Sequence, residues 1–275
     1  MRRTEIESRA NPKWKSLEQL LQGRGIKSEG TYLVSGEKLV DEALRRGAGT
    51  SQGLTVLQVL IASREEASEN WLKSKAPQFA DGALKSVETW ALAPALFREL
   101  DVLGTHHPML VLKTPEIQDY RAWTQPYGLV PLIPLGDPSN LGAVLRSAAA
   151  FGVQDVVLMQ ESASPFLPKA VKAAAGALWE LRFWRGPALS QCEAKDLWVL
   201  DKAPGAKSIS GVRWPENFHL LVGEEGGGLH KLPPVAKLHR LLIPMVGQVE
   251  SLNAAVAMSL LFYEVQKTRS PRLSL

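Results

Sequence analysis

The sequence predicts an α/β chain in two parts, a small α/β domain over residues 1–113 and a larger one over 129–275, joined by a linker at 114–128. Three observations predict it. Apolar runs of strand length alternate with helix-patterned stretches along the chain. After Leu129 those runs are apolar at consecutive positions, as in a mainly parallel sheet covered on both faces. Between the two sets lies TPEIQDYRAWTQPYG, which mixes proline, charge and aromatics without periodicity.

In chain order, a short helix is expected over 13–22. The stretch YLVSGEKLVDEALRRG then places Leu39, Val40, Ala43 and Leu44 on one helix face and stops at Gly47. VLQVLIAS, GALKSVE and PMLVLK read as strands, with helices over 64–73 and 94–100 between them. In the second part LVPLIPLG, VQDVVLM, WELRFW, DLWVLD, FHLLVGEE and HRLLIPM read as the strands of the parallel sheet. A last helix, AAVAMSLLFYEVQ, is apolar around much of its circumference and so is buried on several sides, in the core or against a second subunit. Ser251 or Asn253 starts it, because both side chains accept hydrogen bonds from the free amides of a first turn.

Composition bounds the setting. The chain has 275 residues, 45% hydrophobic and 22% charged, enough for a sizeable core. Its start, MRRTEIESRANPKWK, is too charged for a signal peptide and no apolar run approaches a membrane span, so a cytoplasmic, membrane-free protein is expected. Cys192 is the only cysteine, which excludes an internal disulfide and a cysteine-based metal cluster and makes it a passive small hydrophobe. The charge of +4 tilts weakly toward anionic partners. Within the first thirty residues Arg2, Arg3, Arg9, Lys13, Lys15, Arg24 and Lys27 stand against four glutamates, a basic arm or a frayed terminus.

Three loops that follow strands carry more polarity than packing needs. In GDPSNLGAVLRSAAAFG a helix is expected from near Leu141 with Asn140 as its cap, and Arg146 stands alone in a stretch of Ala, Val, Leu and Phe, where a buried guanidinium would need an anionic partner. In LLVGEEGGGLHKL, Gly223 and Gly228 have the GxxxxG spacing of a phosphate loop, but Leu229 and His230 replace its Lys and Ser/Thr, and Glu224 and Glu225 repel phosphate. The glycines still let backbone approach a ligand closely. In IPMVGQVESLN an apolar-walled loop suits a neutral or cationic ligand with an adenine-like face.

Taken in order, N-L-G-x-x-x-R-S-A at 140–148, G-E-E-G-G-G-L at 223–229 and I-P-M-x-G-x-V-E-S-L-N at 243–253 closely resemble the three motifs of the SpoU family, within the SPOUT class of RNA 2'-O-ribose methyltransferases. The resemblance covers residues 129–267. SRANPKWKSLEQLL and YLVSGEKLVDEAL also look like the opening of the family's frequent N-terminal RNA substrate-binding domain, with Ser35 where many relatives have Glu.

The resemblance implies a C-terminal SPOUT domain with a deep trefoil knot, formed by the second and third loops around S-adenosylmethionine, and a homodimer built on the C-terminal helix. It implies that Gly223, Ile243 and Leu252 hold the cofactor largely through backbone groups, that Asn140, Arg146, Glu225, Ser251 and Asn253 form the polar catalytic site, and that no metal takes part. The partner is ribosomal or transfer RNA. Arg146 is often assigned the proton-accepting role in this family, yet a guanidinium is normally too basic to give up its proton. A clamp on phosphate or ribose oxygens is favoured here. A non-catalytic RNA-binding relative is the alternative, and the presence of all five polar positions argues against it.

Overall fold

The computed structural model describes residues 2–47, 54–80, 82–201, 203–221, 232–235, 237–247 and 251–269. The chain divides into two compact units. The first holds Met1–Pro115 together with Ser164–Gly176, and the second holds Glu116–Ala163 and Ala177–Leu275.

The first unit is built on a mixed five-stranded sheet of order β1-β4-β3-β5-β2. β1 (Arg3–Ile6), β3 (Val56–Ala62) and β4 (Glu88–Leu92) run parallel, while β5 (Met109–Lys113) is antiparallel to β3 and to the edge strand β2 (Thr31–Val34). The N-terminus is therefore neither arm nor frayed end: β1 is a ladder strand. Four of its seven cations have acidic neighbours: Arg2 lies 3.7 Å from Glu88, Arg3 pairs with Glu5 and Glu69, Arg9 with Glu99, and Lys13 lies 3.9 Å from Glu88. α1 (Pro12–Gln19) begins where Asn11 accepts from the Lys13 amide at 2.9 Å, and it buries Trp14 and Leu17 against Ile6, Leu60, Leu92 and Phe97. The expected strand GALKSVE is displaced: Gly82–Leu84 make a tight helical turn, and the strand is ETWAL, which starts at the last residue of that stretch. α2 (Gly23–Glu29) was absent from the sequence reading. α3 (Glu37–Gly47), α4 (Glu66–Lys75) and α5 (Pro94–Leu100) agree with it closely.

The second unit is an eight-stranded sheet of order β11-β13-β10-β12-β7-β8-β9-β6 in which every pairing is parallel. Its strands are β6 (Gln118–Asp119), β7 (Leu129–Ile133), β8 (Asp155–Leu158), β9 (Arg182–Arg185), β10 (Asp196–Leu200), β11 (Lys207–Ser208), β12 (Phe218–Leu221) and β13 (Lys237–Leu242). Fully buried Leu132, Val157, Leu197, Val199 and Leu221 share one core, the outcome that consecutive apolar positions predict for a sheet covered on both faces.

Residues 116–128, expected as linker, belong to this core. β6 extends the sheet, and Tyr120 and Trp123 are buried in it. The Tyr120 hydroxyl lies 3.0 Å from Nε2 of His219, a buried residue of β12. Burial pushes the His219 imidazole down to about 4 and the Tyr120 hydroxyl up. Two polar residues thus fasten a stretch whose composition alone reads as loose. Cys192 is buried and its thiol pushed up by desolvation, as befits an inert side chain.

Candidate functional site

In parallel sheets, ligands lie beyond the carboxyl ends of the strands, where chain turns into helix. β7 leads into α6 (Pro138–Ala150), and Asp137 opens that helix: its Oδ1 accepts from the Asn140 amide at 2.7 Å, with Pro138 at the first helical position. The helix therefore starts three residues before Leu141, and Asp137 rather than Asn140 is its cap. The Asn140 side chain is left for another partner.

That partner is Asn253. Its Nδ2 donates to Asn140 Oδ1 at 2.9 Å, while its own Oδ1 accepts from the amides of Ala255 at 2.9 Å and Val256 at 3.4 Å. One amide side chain thus caps α8 (Ala254–Arg269) and joins the first loop to the third. Of the two candidates for starting the last helix, Asn253 is the one that does so. The two helices continue side by side in the same sense. Ser147 Oγ meets Ser259 Oγ at 2.6 Å, and the Phe151 and Tyr263 rings lie 6.1 Å apart. Their N-termini, with the positive ends of the helix dipoles, open at the same end of the pair.

Arg146 stands one position before Ser147, about 100° around α6 from that seam. It is exposed, and among the described residues it has no hydrogen bond or ion pair. The burial that its apolar surroundings suggested falls on Asp155 instead. That carboxylate receives Arg182 through Nε at 2.9 Å and NH2 at 2.7 Å, and the Trp184 indole at 2.7 Å. Asp155 is a packing group with its polarity satisfied, and Arg146 is a cation without a counterion among the described residues.

Ile243 follows the last residue of β13, and Leu252 precedes Asn253; both are half-buried, as is Ser251. No backbone hydrogen bond engages Ile243 or Leu252 among the described residues. Half-buried main chain with unused donors and acceptors beside apolar side chains is a surface that a planar polar ligand completes. Gly223 and Glu225 lie outside the described residues. The structure thus ties Asn140 to Asn253 directly and sets Ser251 and Leu252 next to Asn253 in the chain. The sequence reading missed Asp137 as the group that orients Asn140; Pro138 was its signal, since proline favours the first helical position.

No helix among the described residues is long and apolar enough to cross a membrane. A model of the SpoU rRNA methylase family matches residues 129–263. The ribosomal RNA small subunit methyltransferase G 2 of Syntrophobacter fumaroxidans is 36% identical over 266 residues, 96% of this chain, and the chain spans 49% of that relative's length. An uncharacterized tRNA/rRNA methyltransferase of Synechocystis is 30% identical over 95% of this chain and 93% of its own length. The fold matches that of an AdoMet-bound rRNA methyltransferase from Sinorhizobium meliloti with a TM-score of 0.73 at 18% identity, covering 98% of this chain and 99% of that one. Two loops joined by a side-chain bond at one end of a parallel sheet, a family match over that sheet and a relative aligned along nearly all its length agree: the chain belongs to the SpoU rRNA methylase family.

Proposed function

We propose that this chain transfers a methyl group from S-adenosylmethionine to a ribose 2'-hydroxyl of a structured RNA, ribosomal or transfer. The observation that carries the proposal is the Asn253–Asn140 bond, which joins two of the three SpoU-like loops at the helix that carries Arg146, exposed and without an ion pair among the described residues. The residues present fit the cofactor: Ile243 and Leu252 offer apolar walls and unused backbone groups, and no phosphate loop competes for the place. Gly223 supplies the close backbone approach of the second loop. The sulfonium brings an activated methyl group, so the protein's work is alignment and removal of one proton.

Arg146 clamps ribose or phosphate oxygens, since a planar fork of donors that holds its proton is suited to anionic oxygen. Asn140, held by Asn253, presents its amide nitrogen toward the same substrate, and Ser251 and Glu225 complete the polar set. The first unit recognises the RNA. The setting is cytoplasmic, where such RNA is found.

Two further features of the family are proposed. β13 comes last in the chain yet lies between β10 and β11, an order that a trefoil knot accommodates, and the knot is read here from the family. Val256, Leu260 and Tyr263 stand 48%, 38% and 49% exposed on one stripe of α8, an apolar face that a second copy of the chain covers.

The experiment is incubation of the protein with labelled S-adenosylmethionine and deproteinised ribosomal and transfer RNA from a strain lacking the gene, followed by nuclease digestion and mass spectrometry. A labelled 2'-O-methylnucleoside is expected. A base-methylated product rejects the ribose assignment. Binding of RNA with no transfer in single turnover supports the non-catalytic relative.

A further inference from the structure

A cleft of about 640 Å³ lies at the β11 end of the eight-stranded sheet, and none of the six described site residues chosen from the sequence is among its described lining. Its size falls in the range that small ligands fill. β10 contributes Trp198, β13 contributes Leu238, His239, Arg240 and Leu241, and the segment around β11 contributes the other described residues.

The charge is one-sided. Lys207 and Arg213 are exposed and have no acidic partner among the described residues, Arg240 is held by Asp201, and no carboxylate is among the described lining residues. Ser208 and Ser210 add hydroxyls, the Ser208 Oγ accepting from the Ser210 amide at 3.2 Å. Gly205 and Gly211 bracket this stretch at φ +84° and +79°, conformations that side chains resist, so its path depends on glycine. His239 lies flat on Trp198 with ring centroids 4.3 Å apart and planes 9° apart, is tied to Asp196 at 3.0 Å, and keeps its side chain 38% exposed.

Unpaired cations and hydroxyls beside a fixed, partly exposed ring match the two parts of a nucleotide. Phosphate takes charge-assisted hydrogen bonds, and a base stacks on an aromatic or imidazole face. An acidic peptide would use the cations and leave the ring idle. We propose that this cleft holds one nucleotide of a single-stranded RNA segment, its phosphate between Lys207 and Arg213 and its base against His239. The proposal rests on the reading of the chain as an RNA methyltransferase. It adds a grip on the strand outside the loops that carry the chemistry.

The test uses the full chain and a short fluorescein-labelled oligouridylate, with binding followed by anisotropy across a salt series. The double variant Lys207→Gln/Arg213→Gln is expected to weaken binding about tenfold or more and to flatten the log–log salt slope by about 0.7, the value for one lost phosphate contact on a single strand. His239→Ala is expected to weaken binding several-fold and leave the slope alone, as loss of stacking does. Wild-type affinity and slope in the double variant overturn the proposal. Free uridine monophosphate separates the two sources of nucleotide: if the double variant loses the monophosphate and keeps the oligonucleotide, the cleft serves a free nucleotide and the RNA assignment falls. S-adenosylmethionine affinity by calorimetry is expected to be unchanged in all variants. Failure of the wild type to bind that cofactor removes the methyltransferase reading, while the oligonucleotide result still decides the cleft.

Discussion

Among the described residues Arg146 is a cation with no ion pair, and an exposed charge beside a polar seam is available to substrate. Arg146→Ala is expected to lower methyl transfer about 100-fold, the scale of losing one aimed donor, with cofactor affinity by calorimetry kept within a few-fold. Arg146→Lys also fails, because an ammonium lacks the planar fork; wild-type turnover in either variant removes the residue from the site. His219 gives a second expectation, on stability. Its folded value near 4 lies below the ordinary 6.5, so the unfolded chain takes up the proton first as pH falls. The contribution is complete above about 6.5 and is lost as pH drops toward 4, amounting to roughly 3 kcal/mol across that window. Urea midpoints measured from pH 7 to pH 4 should fall in the wild type and fall less in His219→Gln. At this scale the sequence was legible wherever residue type carries chemistry, as with Arg146 and Asn253. It was ambiguous where two residues suit one job: Asp137 and Asn140 are equally good caps, and only the proline between them decides.

α8 is held at its start by one side chain with two duties, and substitutions can part them. Asn253→Ala removes the cap and should cost about 1 kcal/mol in thermal or urea unfolding. Asn253→Asp keeps an oxygen for the amides of Ala255 and Val256 but has no donor for Asn140, so it should hold stability and lose methyl transfer. Equal loss of stability in both variants would mean that the Asn140 bond is structural. On the exposed stripe of the helix, Leu260→Glu places a charge and should yield a monomer by light scattering if that stripe joins two chains. Elements were legible where periodicity is strong, as in α3, and illegible where tertiary packing overrides composition. α2 opens Gly-Arg-Gly, which reads as a breaker, yet a side chain at Gly25 would meet the Gln19 carbonyl oxygen at 2.0 Å. Its glycine serves close approach to α1. The strand ETWAL lost out to GALKSVE because both alternate, and only pairing with β1 and β3 selects it.

At the scale of the molecule, the two units are not two segments of sequence. Ser164–Gly176, including α7 (Pro168–Ala174), belongs to the first unit, where the Phe166 ring lies 4.9 Å from that of Tyr32 and Ala170, Val171 and Ala174 are buried. Nothing local in SPFLPKAVKAAAG announces this, since its partners stand over a hundred residues away. A chain beginning at residue 116 would expose that apolar face, so it should aggregate or melt early, whereas fragments 1–115 and 116–275 made together should co-purify. Separate folding of the second fragment with no gain from the first would show the insertion to be dispensable. The arrangement also dictates a timetable. A ribosome releases residues in order, so the edge strand β2 emerges early and waits for its cover until the chain to Gly176 has been made, by which time three strands of the second sheet, β6, β7 and β8, are already out. The first unit of this protein is begun first and finished late, and during that interval its apolar edge is a place for a chaperone to hold.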